Sequence, residues 1–192
     1  MKKALLFIAG LSIIQLIDAQ SFQQQLSDAS IELTQDPVMY DPSYFSIEYP
    51  NGDVPSDRGV CTDVIIRAYR KMDIDLQVKV HEDMRANFEL YPQNWGLTKP
   101  DKNIDHRRVL NLMVFIQRHG QSNTFSNNPD DYQVGDIVCW NLGGGTTHIG
   151  IVVNQKSDDG LRYQVVHNIG GGQVLEDMLF DFRIIGHYSY VE

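Results

Sequence analysis

The sequence contains no stretch that is dense in lysine or arginine, and its formal charge is −9 at pH 7. Proteins that bind nucleic acid usually present a basic surface to the phosphates, so we expect no nucleic-acid partner. The same acidic balance disfavours attraction to an anionic membrane surface. After residue 17 the sequence also lacks an apolar run long enough to cross a bilayer, so we expect no membrane span beyond the N-terminal segment.

Cysteine is scarce, and Cys61 and Cys139 are the two in the chain. Neither belongs to a Cys-x-x-Cys pair, and no His-Glu-x-x-His segment is present, so the usual short spacings of zinc ligands are absent. Zinc held by Cys61, His148 and His167 is an alternative, but the sequence favours no metal and no cofactor. A disulfide is a second alternative, although Cys139 lies in the apolar segment 136–140, which is typical of a small buried side chain.

The first residues are typical of a secretory signal peptide. Two lysines follow Met1, an apolar run covers residues 4–17, and the small residue Ala19 precedes the expected cut. The absence of cysteine at the cut argues against a lipid anchor, while an uncleaved N-terminal anchor is the alternative. We therefore predict that residues 1–19 are a signal peptide and that the mature protein is exported to a bacterial periplasm.

Internal repeats and low-complexity linkers are also absent, so residues 20–192 are predicted to form a single domain, which we expect to be monomeric. Helical periodicity comes first in this domain and predicts helices over 21–33, 59–72, 80–90 and from Ile104 or Asp105 to Gly120. Strand periodicity follows and predicts strands at Asp136–Asn141, His148–Asn154, Arg162–Asn168 and Ile184–Val191. This order predicts an α+β fold in which N-terminal helices pack on a C-terminal antiparallel sheet.

Cys61 stands where a turn-rich segment changes into the second predicted helix. Its stretch, Gly59-Val60-Cys61-Thr62-Asp63-Val64, follows Ser56 and Asp57, either of which is suited to cap a helix. The partial positive charge at a helix N-terminus favours a thiolate, so Cys61 is a candidate nucleophile. The alternative is a cysteine that simply packs, because Cys61 also lies on the apolar stripe of this helix.

His148 opens a predicted strand and His167 lies near the end of the next one, and the turn Ser157–Gly160 joins the two strands. Both registers that this turn allows place the two histidines on one face of the hairpin, either directly opposite or diagonal to each other. A loop of odd length would instead bring Asn168 to that face. We therefore predict that His167, or else Asn168, orients the imidazole of His148.

Three residues then match the parts of a thiol-dependent hydrolase. Cys61 would act as the nucleophile, His148 as base and acid, and His167 as the residue that orients His148. The backbone N–H of Cys61, at a helix start, is suited to stabilise an oxyanion. Each histidine alone is more often structural than catalytic, so the prediction depends on their combined spacing. Glycine triplets at 143–145 and 170–172 lie beside the two histidines and indicate an open cleft.

Two arginines, Arg107 and Arg108, precede another predicted helix, together with Asp105. One interpretation is that Asp105 caps the helix and that the basic residues are solvated. The other is that Arg107 or Arg108 binds a substrate carboxylate through paired hydrogen bonds. We include Asp63 and Tyr44 among the candidate substrate-binding residues.

Two segments near the histidines, Gly135-Asp136-Ile137-Val138 and His148-Ile149-Gly150-Ile151-Val152, resemble the signature of NlpC-type papain-like cell-wall hydrolases. In that superfamily a cysteine opens a helix, a Gly-Asp strand follows, a histidine starts the next strand, and a polar residue on the third strand completes the triad. The sequence departs from the common Asp-Cys-Ser-Gly form at the nucleophile, where it has Val60-Cys61-Thr62. Residues 40–118 further resemble an uncharacterised exported bacterial family, the YijF-like domain of unknown function.

The resemblance implies a papain-like α+β fold of the NlpC type and hydrolysis of an amide bond, in peptidoglycan stem peptides or a related substrate. The catalytic residues that it carries over are Cys61, His148 and His167, with peptidoglycan as the partner. The rival hypothesis is a non-catalytic binding protein of the same fold. Such a protein would recognise a cell-wall glycopeptide or a protein partner through its aromatic segments, residues 40–49 and the loop around Trp95.

Overall fold

A computed structural model describes residues 22–192, so the predicted signal peptide, residues 1–19, lies outside the described part. The helices of this part precede the main sheet, as their periodicity predicts. They are α1 over residues 22–33, α2 at Cys61–Arg70, α3 at Leu76–Ala86 and α4 at Val109–His119. Within residues 22–192, no helix is long and apolar enough to cross a membrane.

Two short strands, β1 (Met39–Tyr40) and β2 (Arg58–Gly59), pair in parallel just before α2 in the chain. The strands that follow are β3 (Gln121–Ser122), β4 (Ile137–Gly143), β5 (Thr146–Lys156), β6 (Tyr163–His167), β7 (Val174–Glu176) and β8 (Arg183–Ser189). They form one antiparallel sheet in the order β3-β8-β4-β5-β6-β7. Helices followed by an antiparallel sheet confirm the predicted α+β class.

One face of the sheet is covered by the helices. Val64 and Ala68 on the apolar stripe of α2 are fully buried and share a core with Ile149 and Ile151 of β5. Because alternate residues of a strand point to the same face, the odd-numbered residues in this part of β5 face α2. Burial of this apolar surface, at roughly 25 cal/mol per Å², is the main force that holds α2 on the sheet.

The opposite face of the sheet is covered by the segment between β7 and β8. Trp140, Val152 and Val165 form a second buried cluster there together with Leu179. The indole Nε1 of Trp140 donates a hydrogen bond of 2.9 Å to the carbonyl of Leu179, so its polar atom is satisfied in the core. Both faces of the central strands are therefore buried.

The cap of α2 differs from the sequence prediction. The helix begins at Cys61, and its N-cap residue is Val60 rather than Ser56 or Asp57. The carboxylate of Asp63, three residues into the helix, accepts the backbone N–H of Val60 at 2.7 Å. This is the acidic half of a capping box, and it makes a polar side chain at the cap position unnecessary.

Helix α3 begins four residues before its predicted start. The side chain of Asp75 accepts the backbone N–H of Val78 and so caps the helix at Leu76. At the other end, Phe88–Leu90 form a separate 3-10 turn instead of a last α-helical turn. The prediction followed the apolar stripe and missed the capping aspartate.

Helix α4, in contrast, begins later than predicted, at Val109, after a 3-10 turn at Asp105–Arg107. Asp105 does not cap the helix. Its carboxylate is fully buried and pairs with Nδ1 of His81 at 2.9 Å. Because a long-range partner takes this side chain, the local capping pattern is misleading here.

The hairpin of β5 and β6 has the diagonal register that a four-residue turn predicts. Ile151 pairs with Val166 and Val152 pairs with Val165. These pairs make His148 and His167 diagonal neighbours on one face. The sequence did not predict β7, which pairs with β6 and brings Val174 opposite His167.

Candidate functional site

The N-terminus of α2 lies where β5 and β6 separate. The pairing of β5 with β6 reaches only as far as Ile151 on this side. Beyond that residue, the backbone N–H of Ile149 lies near the sulfur of Cys61 and acts to lower the pKa of the thiol. The side-chain amide of Asn168, just after β6, donates to the carbonyl of Gly59 at 3.3 Å. This hydrogen bond ties the segment before Cys61 to the end of β6.

The sulfur of Cys61 is surrounded by backbone donors but is also buried. The N–H groups of Ile149, Thr62 and Cys61 itself all act to lower its pKa. Burial outweighs them and raises the pKa of the Cys61 thiol to about 12, with the carboxylate of Asp63 acting in the same direction. The side chain is therefore a neutral thiol at pH 7, and not the thiolate that its place at a helix start suggested.

His148 and His167 belong to a chain of three hydrogen-bonded side chains. Nε2 of His148 and Nδ1 of His167 are 3.0 Å apart, and Nε2 of His167 lies 3.0 Å from Oε2 of Glu176. The two rings meet edge to face at 85°. Both histidines are buried, whereas the side chain of Glu176 is 53% exposed. This chain of hydrogen bonds thus begins at the solvent-exposed Glu176 and ends at the buried His148.

Burial decides the charge of both rings. It lowers the pKa of His148 to about 3, with the neighbouring His167 acting in the same direction. It also lowers the pKa of His167, although the carboxylate of Glu176 opposes the shift. Both rings are neutral at pH 7. Because Nε2 of His148 is bonded to His167, Nδ1 is the ring nitrogen of His148 that is left for another partner.

The sulfur and the two histidines approach from different faces of the sheet. Cys61 comes from the helix face, while the ring of His148 lies beside Trp140 in the cluster on the other face. In the described residues, no hydrogen bond joins the sulfur of Cys61 to either ring nitrogen of His148. The opening between β5 and β6 is the place where the two side chains can meet.

The structure also separates the two candidates for the orienting residue. His167 is bonded to His148, while the amide of Asn168 is bonded to the carbonyl of Gly59 and to the N–H of Gly170. His167 is therefore the residue that holds the ring of His148. Asn168 holds the helix start of Cys61 instead.

Asp63 and Arg107 form a buried ion pair directly behind Cys61. Nε and Nη2 of Arg107 donate to the two carboxylate oxygens of Asp63 at 2.9 and 3.0 Å, and Nη1 donates to the carbonyl of Ser43. Both side chains are almost fully buried. A substrate carboxylate would have to displace Asp63 to reach this guanidinium, so the pair braces the helix start of Cys61.

Arg108, unlike Arg107, is not held in an ion pair with Asp63. Its guanidinium lies 4.1 Å from the ring centre of Trp95, and burial lowers its pKa. Within residues 22–192, its buried Nη1 has no hydrogen-bond partner. Arg108 and Trp95 line a cavity of about 210 Å³ together with Cys61, Thr147 and Tyr40. The cavity therefore brings together the thiol and a guanidinium that forms no ion pair with a described residue.

The remaining predicted features lie outside this cavity. Tyr44 is 58% exposed, and its hydroxyl donates to Asp101 and accepts from Asn103. Glycines 143–145 form the exposed turn between β4 and β5, with positive φ and open space around them. Glycines 170–172 form the connection between β6 and β7.

Two residues of the site were not predicted from the sequence. Glu176 was missed because β7 was not recognised, since the three residues Val174–Glu176 are too few to show the alternation of a strand. Tyr40, which lines the cavity, belongs to an aromatic segment that the sequence associates with binding only in general terms. The density of aromatic residues was the signal for Tyr40, whereas the local sequence contains no comparable signal for Glu176.

Larger openings occur elsewhere on the described surface. One of about 760 Å³ lies between residues 121–124 and 131–136, and another of about 670 Å³ lies between residues 34–39 and 171–174. Neither contains a cysteine. In residues 22–192 no group of three or more His, Cys, Asp and Glu side chains is arranged to hold a metal ion. The chemistry of the side chains, rather than the size of the opening, identifies the candidate site.

Fold and site together define an α+β domain with a buried cysteine at a helix start and a buried His-His-Glu chain at the adjoining strands. Residues 27–190 match the model of a family described as Domain of unknown function (DUF1287), and the chain belongs to this family. It is 54% identical over 153 residues to the "Uncharacterized protein YijF" of Escherichia coli (strain K12). That alignment covers 80% of this chain and 74% of the relative.

A search of solved structures finds a more distant neighbour, "Structure of NlpC1 from Trichomonas vaginalis". The two chains are 13% identical with a TM-score of 0.46, and the superposition covers 88% of this chain. This chain spans 44% of the NlpC1 chain.

Proposed function

We propose that the protein is an exported cysteine hydrolase that cleaves an amide bond, with peptidoglycan stem peptides as the substrate class. The observation that carries the proposal is the placement, beside one opening in the sheet, of a cysteine at a helix start and a chain of buried, hydrogen-bonded histidines. The backbone N–H of Ile149, which directly follows His148, lies near the sulfur of Cys61 and acts to lower the pKa of the thiol. The residue next to His148 is therefore a neighbour of the proposed nucleophile.

The proposed reaction starts from a neutral thiol and a neutral imidazole. The thiol proton of Cys61 passes to Nδ1 of His148 while the sulfur bonds to the amide carbon. His148 then gives the proton to the leaving amine as the C–N bond breaks, and a thioester remains on Cys61. A water molecule, deprotonated by His148, hydrolyses the thioester and restores the thiol. The backbone N–H groups at the start of α2 stabilise the oxyanion formed in each half-reaction.

Arg108 is the proposed anchor for a carboxylate of the substrate. Its buried Nη1 lacks a partner, and it lines the same cavity as Cys61. A guanidinium binds a carboxylate through two parallel hydrogen bonds, and stacking on Trp95 fixes its plane. The proposal thus assigns substrate binding to Arg108, while Arg107 and Asp63 position the nucleophile.

Incubation with purified sacculi tests the proposal. The wild type is expected to release peptide fragments with new amine and carboxylate ends, which mass spectrometry identifies, and Cys61→Ala is expected to release none. Cys139→Ala is the matched control, because it removes the other buried thiol and leaves Cys61 in place. Arg108→Ala should retain the same products at a rate reduced roughly 10- to 100-fold. Equal profiles for the wild type and Cys61→Ala would contradict the proposal.

The second candidate function is a binding protein that does not hydrolyse its ligand. The high pKa of the Cys61 thiol and the lack of a direct bond between Cys61 and His148 favour it. Under this alternative, sacculi bind the wild type and Cys61→Ala equally well and release no fragment from either. Sedimentation of the protein with sacculi, measured beside the fragment analysis, separates the two functions.

A further inference from the structure

Glu176 lies at the solvent end of the histidine chain. The pairing of β6 with β7 places Glu176 opposite Val165, so the side chains of Glu176 and His167 point to the same face of the sheet. Oε2 of Glu176 is 3.0 Å from Nε2 of His167. An ionised carboxylate only accepts hydrogen bonds, so the proton of this bond belongs to Nε2 of His167.

The position of this proton on His167 determines the position of the proton on His148. A neutral imidazole carries one N–H, so a hydrogen on Nε2 leaves Nδ1 of His167 as an acceptor. The bond of 3.0 Å to His148 then requires the hydrogen to be on Nε2 of His148. Nδ1 of His148 is left without a hydrogen. Both rings are buried, so bulk water does not compete for these bonds.

We propose that Glu176 is a positioning residue that sets the tautomer of His167 and, through it, the tautomer of His148. The inference rests on the proposed function, in which Nδ1 of His148 accepts the proton of Cys61. It adds a fourth residue to Cys61, His148 and His167. Glu176 touches neither the thiol nor the cavity that the thiol lines.

Without the carboxylate of Glu176, the hydrogen bond between His167 and His148 can reverse its direction. Without Glu176, His167 can carry its hydrogen on Nδ1 and donate to Nε2 of His148 across the same 3.0 Å. The hydrogen of His148 then sits on Nδ1, which can no longer accept a proton from a thiol. Glu176→Gln has a similar effect, because the amide both donates and accepts.

Nitrogen NMR of the histidine rings tests the inference without reference to activity. In protein labelled with ¹⁵N-histidine, ring nitrogens with and without hydrogen have distinct chemical shifts, and His148→Gln assigns the signals of His148. The wild type is expected to show hydrogen on Nε2 and none on Nδ1. Glu176→Ala and Glu176→Gln are expected to show a mixture or the reverse. Asp177→Ala, which removes the neighbouring carboxylate bonded to Arg162, is the control that should match the wild type.

The outcomes separate this inference from the proposed function. An unchanged tautomer of His148 in Glu176→Ala, or hydrogen on Nδ1 in the wild type, overturns the inference. A shifted tautomer supports it even if the wild type hydrolyses nothing, and in that case the proposed function alone fails. With an active wild type, Glu176→Ala should lose roughly 10- to 100-fold in kcat with little change in KM. The side chain of Glu176 is 53% exposed, so we expect both variants to keep the wild-type fold, which circular dichroism checks.

Discussion

The state of Cys61 shows how two effects on one side chain compete. A helix N-terminus and three backbone N–H groups favour the thiolate, while removal from water disfavours it. The balance raises the pKa of the thiol to about 12, so desolvation is the larger effect. With a neutral His148 beside the opening, the thiol and the imidazole do not form a thiolate–imidazolium pair at rest. In the proposed reaction, proton transfer then accompanies attack on the substrate, as it does when serine is the nucleophile.

Alkylation of Cys61 measures this balance. In a Cys139→Ala background, the rate of reaction with iodoacetamide is expected to rise about tenfold per pH unit from pH 7 to 9 without reaching a plateau, because only the thiolate reacts. The rate should be well below that of the same thiol in urea-denatured protein, whose pKa is ordinary. A rate that is already constant below pH 7 would indicate a preformed thiolate and contradict the neutral resting state.

Sequence reasoning singled out the residues with distinctive chemistry and could not assign their partners. Cys61, His148 and His167 stand out because cysteine and histidine are few and because their positions relate to predicted elements. Glu176 is one of many acidic residues, and only the pairing of β6 with β7 brings it to His167. The contrast between Arg107 and Arg108 was also beyond the sequence, because Asp63 pairs with only one of two adjacent arginines.

At the scale of elements, the start of α2 is the best-supported part of the site. Asp63 accepts the N–H of Val60 and both donors of Arg107, and Asn168 donates to the carbonyl of Gly59. Asp63 and Asn168 thus bind the backbone of the two residues before Cys61, and Arg107 holds the carboxylate of Asp63. These contacts fix the backbone from which the side chain of Cys61 projects.

Removal of one partner of the buried pair should be costly. Asp63→Asn leaves the guanidinium of Arg107 buried without a counter-charge, so we expect the free energy of unfolding to fall by roughly 3–5 kcal/mol. Urea unfolding followed by circular dichroism measures it. Asp53→Asn is a matched control, because its partners Arg67 and Arg70 lie in a more exposed pair, and it should cost about 1 kcal/mol or less. Equal losses in both variants would show that Asp63 and Arg107 do not brace the fold.

Elements with strong periodicity were predicted well, whereas the starts of α3 and α4 were not. The stripe of α2 and the apolar strands β4, β5 and β8 appear close to their predicted bounds. The start of α3 depends on Asp75 and the start of α4 on a 3-10 turn, and neither is visible in the apolar pattern. Short strands such as β7 contain too few residues for a period to be recognised.

At the scale of the whole molecule, the sheet is covered on both faces, and this burial affects the histidines. Burial lowers the pKa of His106 and of His148 to about 3, and it also lowers the pKa of His167. His187 is different, because its hydrogen bond to Asp136 outweighs the effect of burial and raises its pKa. Three buried rings thus resist protonation in the folded state, and one favours it.

Stability should therefore fall as the solution becomes acidic. Each ring with a lowered pKa contributes stability that is complete above the unfolded value of 6.5 and is lost as pH falls below it, by at most about 1.4 kcal/mol per pH unit. His187 contributes in the opposite sense, with stability that is lost as pH rises through its raised pKa. Because three rings have a lowered pKa and one has a raised pKa, we expect a lower free energy of unfolding at pH 4.5 than at pH 7, measured by urea unfolding.

His106→Gln provides the comparison for this prediction. It removes one of the three rings with a lowered pKa, outside the candidate site, and should make the difference in stability between pH 7 and pH 4.5 smaller than in the wild type. A variant with an unchanged difference would show that the buried rings do not cause the acid sensitivity.

The sequence by itself determined the class of the fold and singled out the candidate site residues. The periodicity of apolar residues and the order of the elements are properties of the local sequence. They predicted helices followed by an antiparallel sheet. Rare residue types at element boundaries identified Cys61, His148 and His167. These conclusions need no knowledge of which distant segments touch.

Only the tertiary structure decided the state of those side chains and the partners that hold them. The neutral thiol, the neutral histidines and the carboxylate of Glu176 behind them all result from burial and from contacts between segments far apart in the chain. A pKa depends on desolvation and on neighbouring charges, and both are set by packing rather than by sequence position. For this reason the same cysteine suggested a thiolate in the sequence and is a buried thiol in the folded protein.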